Sequence, residues 1–435
     1  MKGWNVMKDM KKVIALIVAL LLCVSLAACG GSGGGNTGST TPDQSAPSTD
    51  SGAPATPDTS APTGDNVIKI GALVNLTGYQ APIDLASVNE VKAYVELVNA
   101  SGGWDIDGTK YQVDFITSDM ESDATMARSA ALYLVDQGVS YVLETVDFMV
   151  TGVQDVWDTN HIMHISTWPT GDKNFGGTNH PYAFLGSGGS LTGYKSAMQA
   201  WMQADPAASK IVYCENDSGN NDVLYGICKG YADDLGLTML PDKVIYAGDQ
   251  TDFSSIAMSL IKTGADGFIG AGPITNVAAI TKELRNLGSE MWYVMPGTQS
   301  LVTFSQIVGP DGARNAVGIG AVPDQGTQTQ EYLDTYNKYK DMFGADEAVI
   351  YNGNYPSCIY QLLQFMSLAK STDVDTVIST IESTQTVDTF YGQAQLGGQS
   401  YYGLPNRVVC NPAGQTVLDS NGKITFNGYI PAYLP

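Results

Sequence analysis

Residues 66–103 read NVIKIGALVNLTGYQAPIDLASVNEVKAYVELVNASGG. The run Val67–Asn75 has strand length and is dominated by apolar, largely β-branched residues, the composition of a strand covered on both faces. Leu76–Pro82 carries Gly, Gln and Pro and reads as a loop. Beyond it Val88, Val91, Tyr94, Val95 and Val98 recur on one helical face, and Ser101-Gly102-Gly103 ends the helix. Strand, loop and amphipathic helix in that order open a βαβ unit.

Working outward, Tyr111–Ser118, Tyr141–Thr145 and Ile162–Ser166 read as strands, with helices predicted over Asp123–Gly138 and Val150–Thr159. The alternation resumes after Gly186. Helices are expected over Leu191–Ala204, Leu224–Leu235, Phe253–Thr263 and Val277–Leu287, and strands over Lys210–Cys214, Lys243–Tyr246, Gly267–Gly270 and Trp292–Met295. Repeated βαβ units imply parallel sheets with helices on both faces, and two such series imply two similar lobes. Val417-Leu418 and Ile424-Thr425-Phe426, separated by Asp419-Ser420-Asn421-Gly422-Lys423, predict a hairpin near the end.

The N-terminal part has a different character. Lys2, Lys8, Lys11 and Lys12 precede an apolar run from Val13 to Leu26, the form of a secretory signal. Leu26-Ala27-Ala28-Cys29-Gly30 resembles the lipobox of bacterial lipoproteins, which implies removal of residues 1–28 and acylation of Cys29. Residues 30–65 contain no aromatic residue, no Leu, Ile or Val, and no Lys or Arg, so 29–65 reads as a lipidated Cys and a disordered spacer. Its reach is about 30–35 Å. This places the body at the outer face of the cell membrane, and the length of the spacer fits a Gram-positive surface.

The chain of 435 residues has 22 basic against 44 acidic residues, a formal charge of −22, so no basic patch exists to neutralise phosphates and nucleic acid is excluded as a partner. No apolar run of ~18 residues lies beyond the N-terminal region, which excludes a multi-pass membrane protein. Of the three His, His161 and His164 fall at or in one strand and His180 is the remaining one, so no metal is expected, nor any cofactor. No P-loop is present, nor a G-x-S-x-G elbow between a strand and a helix, and the chain reads as a binding protein and not an enzyme.

Several segments resemble the branched-chain-amino-acid-type solute-binding proteins of ABC importers. They are Ile68-Lys69-Ile70-Gly71-Ala72-Leu73 with Leu76-Thr77-Gly78, and Asn99-Ala100-Ser101-Gly102-Gly103. Gly248 with Thr251-Asp252-Phe253-Ser254, and Tyr351-Asn352-Gly353-Asn354-Tyr355, continue the likeness in order. The resemblance implies an α/β, two-lobed type I periplasmic-binding-protein fold, each lobe a parallel sheet flanked by helices, with three crossovers. Lobe one would be 66–187 plus 321–392, and lobe two 188–320 plus 393–435. Gly186-Ser187-Gly188-Gly189-Ser190 would be the first crossover, its glycines giving hinge freedom. The partners implied are a small-molecule ligand and the permease and ATPase subunits of a transporter. The alternative is a sensor subunit that presents its ligand to a membrane receptor.

In open α/β sheets ligands sit beyond the carboxyl ends of strands. That rule selects loops carrying Tyr79, Asp147, Phe148, Trp168, Thr170, Pro273 and Thr298, with Tyr225 starting the helix after the Glu215 loop and Tyr355 added by the resemblance. Amino-acid binders of this family hold the ligand carboxylate with hydroxyls and backbone N–H groups of two lobe-one loops, and its ammonium with a lobe-two acid. Here Phe148 takes the first hydroxyl position, Thr170 is kept, and Gly297 falls at the acid position, leaving Asp147 as a substitute acid. These departures argue against a plain branched-chain amino acid. Tyr79, Phe148, Trp168, Tyr225 and Tyr355 would instead form an aromatic-walled slot for a planar or apolar molecule. Of the body cysteines, Cys214 ends a strand and Cys228 lies in the next helix, so the two are a possible disulfide.

Overall fold

A computed structural model describes residues 62, 64, 66–78, 80–170, 174–217, 220–248, 250–270, 272–296, 301–319, 329–344, 351–418 and 424–430. The signal-like run, Cys29 and most of the spacer lie outside these residues, as does the turn at 419–423. The opening βαβ unit is β1 (Val67–Val74), α1 (Ala81–Ala100), β2 (Trp104–Ile106) and β3 (Thr109–Asp119). It is followed by α2 (Ala127–Asp136), β4 (Tyr141–Val146), the four-residue α3 (Asp147–Val150), α4 (Gln154–Thr159), β5 (Met163–Trp168) and β6 (Ala183–Leu185).

A second series begins with α5 (Gly189–Ala204), β7 (Lys210–Asn216), α6 (Asn221–Leu235), β8 (Thr238–Met239) and β9 (Val244–Tyr246). It continues through α7 (Ser254–Thr263), β10 (Gly267–Ile269), α8 (Ile274–Asn286), β11 (Trp292–Met295), α9 (Leu301–Ala313) and β12 (Ala316–Ile319). The chain then adds α10 (Gln330–Phe343), α11 (Asn354–Ala369), α12 (Val374–Ser383), β13 (Thr386–Thr389), β14 (Gly392–Gly397), α13 (Gln399–Tyr402) and β15 (Val408–Cys410). It ends in β16 (Ala413–Leu418) and β17 (Ile424–Ile430), an antiparallel pair in which Leu418 faces Ile424.

Two sheets result. One has nine strands in the order β13-β14-β15-β6-β5-β4-β1-β3-β2; the other has eight, β17-β16-β12-β11-β10-β7-β8, with β9 also on β7. The central pairings β3-β1-β4-β5-β6 and β8-β7-β10-β11-β12 are parallel. This is the type I periplasmic-binding fold. In both sheets the strand order reverses beside the first strand of the series, between β1 and β4 and between β7 and β10, which opens a crevice there.

The division of the chain between sheets corrects one expectation. Residues 393–410 belong to the first sheet and not to lobe two: β14 pairs antiparallel with β13 and β15, and Val408 of β15 pairs with Leu185 of β6. The cause is apolar alternation. Ala394, Leu396 and Val409 face one core of that sheet, and Val408 and Cys410 face the other. The last passage between sheets therefore falls between Cys410 and Ala413.

Each sheet is buried on both faces, and strand parity decides which side chains meet. Val212 and Cys214 of β7 join the core under α7 and α8, whereas Ile211 and Tyr213 join Cys228 under α5 and α6. Cys214 and Cys228 thus lie on opposite faces of one sheet, and both are free and buried. The possible disulfide does not form. Cys358 and Cys410 are likewise free and divided between the two faces of the first sheet.

At two glycines of the first passage the packing leaves no room for a side chain. A Cβ at Gly186 would stand 2.4 Å from Cys358 Sγ, and one at Gly189, whose φ is +45°, would stand 2.1 Å from the Pro169 carbonyl oxygen. Ser187 Oγ donates to the Thr167 carbonyl at 2.9 Å. The chain is threaded tightly against the end of β5 as it leaves the first sheet. Gly189→Ala should therefore destabilise the fold by about 2–4 kcal/mol, read as a lower urea midpoint with unchanged slope.

A second fastening lies on α1. Buried Glu90 accepts the backbone N–H groups of Asn352 and Gly353, each at 2.9 Å, and so holds the turn that launches α11. Burial raises its carboxyl from the ordinary 4.5 to about 8, against the pull of those two hydrogen bonds. The folded state binds this proton more tightly than the unfolded state does. The stability it confers is full below about pH 4.5 and is lost as pH rises to about 8. In Glu90→Gln that loss should vanish. Relative to wild type, the variant should gain on the order of 3 kcal/mol between pH 5 and 8 in urea unfolding; parallel pH profiles would refute the assignment.

Candidate functional site

The crevice of the first sheet is organised by a buried carboxylate. Asp84 in the first turn of α1 accepts the backbone N–H of Asn75 and its side-chain Nδ2, both at 2.8 Å with Oδ2. Thr145 Oγ1, near the end of β4, donates to Oδ1 at 3.1 Å, and the Tyr355 hydroxyl from α11 adds a further bond. Burial pushes the Asp84 carboxyl above its ordinary range, against the pull of Asn75, Thr145 and Tyr355. Four elements, β1, α1, β4 and α11, are tied at one point beside the reversal of strand order.

The adjoining loop after β1 is clamped from β3. Asp119 accepts the N–H of Leu76 and of Glu121 at 2.8 Å, and the Thr77 hydroxyl at 2.8 Å. Glu121 and Ser122 both hold positive φ, +56° and +57°, and Ser122 receives and gives hydrogen bonds to Gln80 N–H and the Thr77 carbonyl. Two successive non-glycine residues in the left-handed region mark a loop whose shape is imposed.

At the ends of β4 and β5, Asp147 and Thr170 meet. Asp147 accepts the Thr170 N–H at 2.9 Å through Oδ2 and its hydroxyl at 2.6 Å through Oδ1, and both residues are buried. From the second sheet, Asn220 Nδ2 reaches Thr170 Oγ1 at 3.4 Å, so the loops after β5 and β7 touch. Asn354, at the start of α11, donates to the Thr167 carbonyl.

The crevice of the second sheet repeats the pattern. Glu215 on β7 is buried and accepts the Tyr213 hydroxyl at 2.6 Å and the Tyr194 hydroxyl at 3.5 Å. Beyond β10 the backbone passes so close that a Cβ at Gly270 would lie 1.8 Å from the Cys214 carbonyl oxygen. A Cβ at Gly272 would touch both Tyr246 Oη and Asn216 Oδ1, which therefore converge at that strand end.

The sequence-derived set is thus partly assembled. Asp147, Thr170 and Tyr355 fall in the described polar network, and Trp168 is the half-exposed last residue of β5, paired with Val146. Pro273 is exposed and precedes α8. Tyr225 does not join them: its hydroxyl donates to the Leu240 carbonyl at 3.1 Å and its ring packs edge-on against Tyr213, at the sheet's edge. Tyr355 is a core residue with its hydroxyl engaged by Asp84, Thr145 and Thr167. The aromatic slot loses these two walls. Tyr79, Gly297 and Thr298 lie outside the described residues, and of Phe148 only the backbone, in α3, is described. Sequence reading missed Asn75, Asp84, Thr145 and Asn220 as site residues. An acid in the first helical turn, nine residues after an Asn at a strand end, was the available signal.

A groove of about 540 Å³ lies elsewhere, lined by Tyr94, Trp104, Tyr360, Glu331 and Lys338 among others. It sits near the C-terminal end of α1, hence at the amino ends of the parallel strands, away from both crevices. Among the described residues no group of three or more His, Cys, Asp or Glu is placed to hold a metal ion.

A family model described as periplasmic binding protein matches residues 67–401. The chain belongs to the periplasmic binding protein family. Members of this family are solute-binding proteins. No curated protein matches the sequence significantly. Among solved structures, a leucine-binding protein of Thermotoga maritima shares 15% identity, with a TM-score of 0.65 over 83% of this chain and 98% of its own. A branched-chain amino acid transporter substrate-binding protein of Streptococcus pneumoniae, solved with isoleucine, shares 18%, with a TM-score of 0.66 over 84% and 99%. An ABC transporter substrate-binding protein of Aeropyrum pernix shares 17%, with a TM-score of 0.69 over 84% and 96%. At these identities the likeness is one of fold. No helix of this periplasmic binding protein, among its described residues, is long and apolar enough to cross a membrane.

The Asp84 network makes a stability prediction. Asp84→Ala leaves the Asn75 N–H and amide, the Thr145 hydroxyl and the Tyr355 hydroxyl without their acceptor, and should cost roughly 3 kcal/mol in urea unfolding. A cost under about 1 kcal/mol would show that the four elements are not joined through this group.

Proposed function

We propose that this chain is the extracytoplasmic, lipid-anchored solute-binding component of an ABC importer. It captures a small molecule between its lobes and delivers it to a permease driven by ATPase subunits. The observation that carries the reading is the pairing of two crevices, each beside a reversal of strand order and lined by buried polar side chains, with the loops of the two sheets in contact through Asn220 and Thr170. A solute touching both lobes favours the closed arrangement by the difference in its contacts with the two states. No chemical step is needed, and a micromolar Kd asks for only about −8 kcal/mol of net interaction.

The first solutes to test are amino-acid-like, since two fold neighbours carry leucine or isoleucine in their descriptions, followed by aromatic and planar compounds that Trp168 would stack on. The full chain, purified in mild detergent, should melt a few degrees higher in the presence of its solute. At a hundred times Kd the gain is about 2.7 kcal/mol. Small-angle scattering should show contraction with the same compound. A broad panel that leaves both measurements unmoved would count against solute capture; binding with contraction but no uptake in permease-containing vesicles would favour a receptor-presenting sensor.

The anchor has its own test. Residues 26–30, LAACG, place Cys29 where lipoproteins are acylated. Cells expressing the chain should incorporate an alkyne-tagged fatty acid into it, and Cys29→Ser should lose the label and leave the membrane fraction. Retained label in Cys29→Ser would refute the anchor.

A further inference from the structure

The loops after β4 and β5 contain a donor pair suited to a carboxylate. Thr170 offers its backbone N–H and its hydroxyl side by side, and Asp147 takes both, one on each oxygen, at 2.9 and 2.6 Å. Two donors matched to two carboxylate oxygens is the geometry of a charge-assisted grip. The grip lies at strand ends, buried, and against the second sheet's loop, since Asn220 reaches the same Thr170 oxygen at 3.4 Å. It therefore sits where the proposed solute would be held, and it is filled from within the chain.

We infer that Asp147 is a specificity-determining residue: its carboxylate permanently occupies the Thr170 cradle, so the cleft refuses solutes that would bind there through a carboxylate and admits neutral polar or cationic ones. The inference rests on the solute-binding reading above. Three physical points support it. Thr170 has one N–H and one O–H to give, and both are given. A second carboxylate at that distance from the first could not remain ionised beside it. Displacing Asp147 would strip two hydrogen bonds from a side chain that is 0% exposed. The neighbouring crevice between β1 and β4 adds a further buried acid, Asp84, linked to Thr145 two residues before Asp147. Asp147 thus replaces the charge of an acidic ligand with a charge of the protein's own.

The test compares leucine and isoleucine with leucinamide and isoleucinamide on the full chain in mild detergent, by calorimetry and thermal shift. Wild type should show no preference for the acids. Asp147→Ala empties the cradle and should acquire binding of the acids at least about tenfold tighter than of the amides. Asp147→Asn still fills the space and should gain no such preference. Should Asp147→Ala fail to fold, Asp147→Ser takes its place, and the wild-type comparison stands by itself. Wild type binding the acids more tightly than the amides would overturn the inference, as would a folded Asp147→Ala or Asp147→Ser blind to them. If other solutes bind while the emptied cradle stays blind, only this inference falls. If no compound in this set or the wider panel binds wild type or variant, the solute-binding reading falls and takes this one with it.

Discussion

The hydrogen bonds that converge on Asp84 set the position of everything around the first crevice. A parallel strand must release its chain at the carboxyl end, and the departing backbone there has lost its ladder partners. Asp84 receives the N–H of Asn75, the first residue past β1, and so closes the account of that strand end from the helix that follows it. Because the same carboxylate also holds Thr145 and Tyr355, the ends of β1 and β4 and the start of α11 cannot shift independently. The first lobe presents a formed surface and not a set of separate loops. Glu90 does for the turn before α11 what Asp84 does for its first residues, from the same helix six residues later.

Much of this architecture was legible in the residues. The buried-strand composition of Val67–Asn75 and the periods of 2 and 3.6 that follow it carry the parallel sheets, since only strands covered on both faces are so uniformly apolar. What escaped was of two kinds: the stretch after Met295, where α9, β12, α10 and α12 went unread, and short strands elsewhere. β6 and β15 have three residues each and β8 has two, too few for a period to declare itself. Assigning 393–410 to the wrong lobe has the same origin: its strands join the first sheet through alternating Ala394, Leu396 and Val409, a pattern interrupted by Gly397, Gly398 and Pro405.

The site was read by loop and missed by face. The strand-end rule led to Asp147, Thr170 and Trp168, and the structure places all three at the ends of β4 and β5, because position along a strand is visible in sequence. Which way a helical side chain turns is not. Tyr225 lies one turn into α6 and faces the sheet edge at Leu240, and Tyr355 directs its hydroxyl into the polar knot instead of offering its ring to a ligand. The acids of the first crevice also changed meaning once their partners were known. Read from the sequence, Asp147 is a substitute for a missing counter-charge; in the structure its two carboxyl oxygens accept both donors of Thr170.

The division of the cysteines between sheet faces bears on how such a chain lives outside a reducing compartment. Four thiols are sealed in three dimensions by sheets that run between them, and burial pushes Cys214, Cys228, Cys358 and Cys410 away from the reactive thiolate form. Among the described residues the folded body needs no disulfide to hold it, and it keeps these four thiols away from an oxidant. The four described thiols therefore ask for no pairing step, and a more oxidising medium has no bridge among them to form.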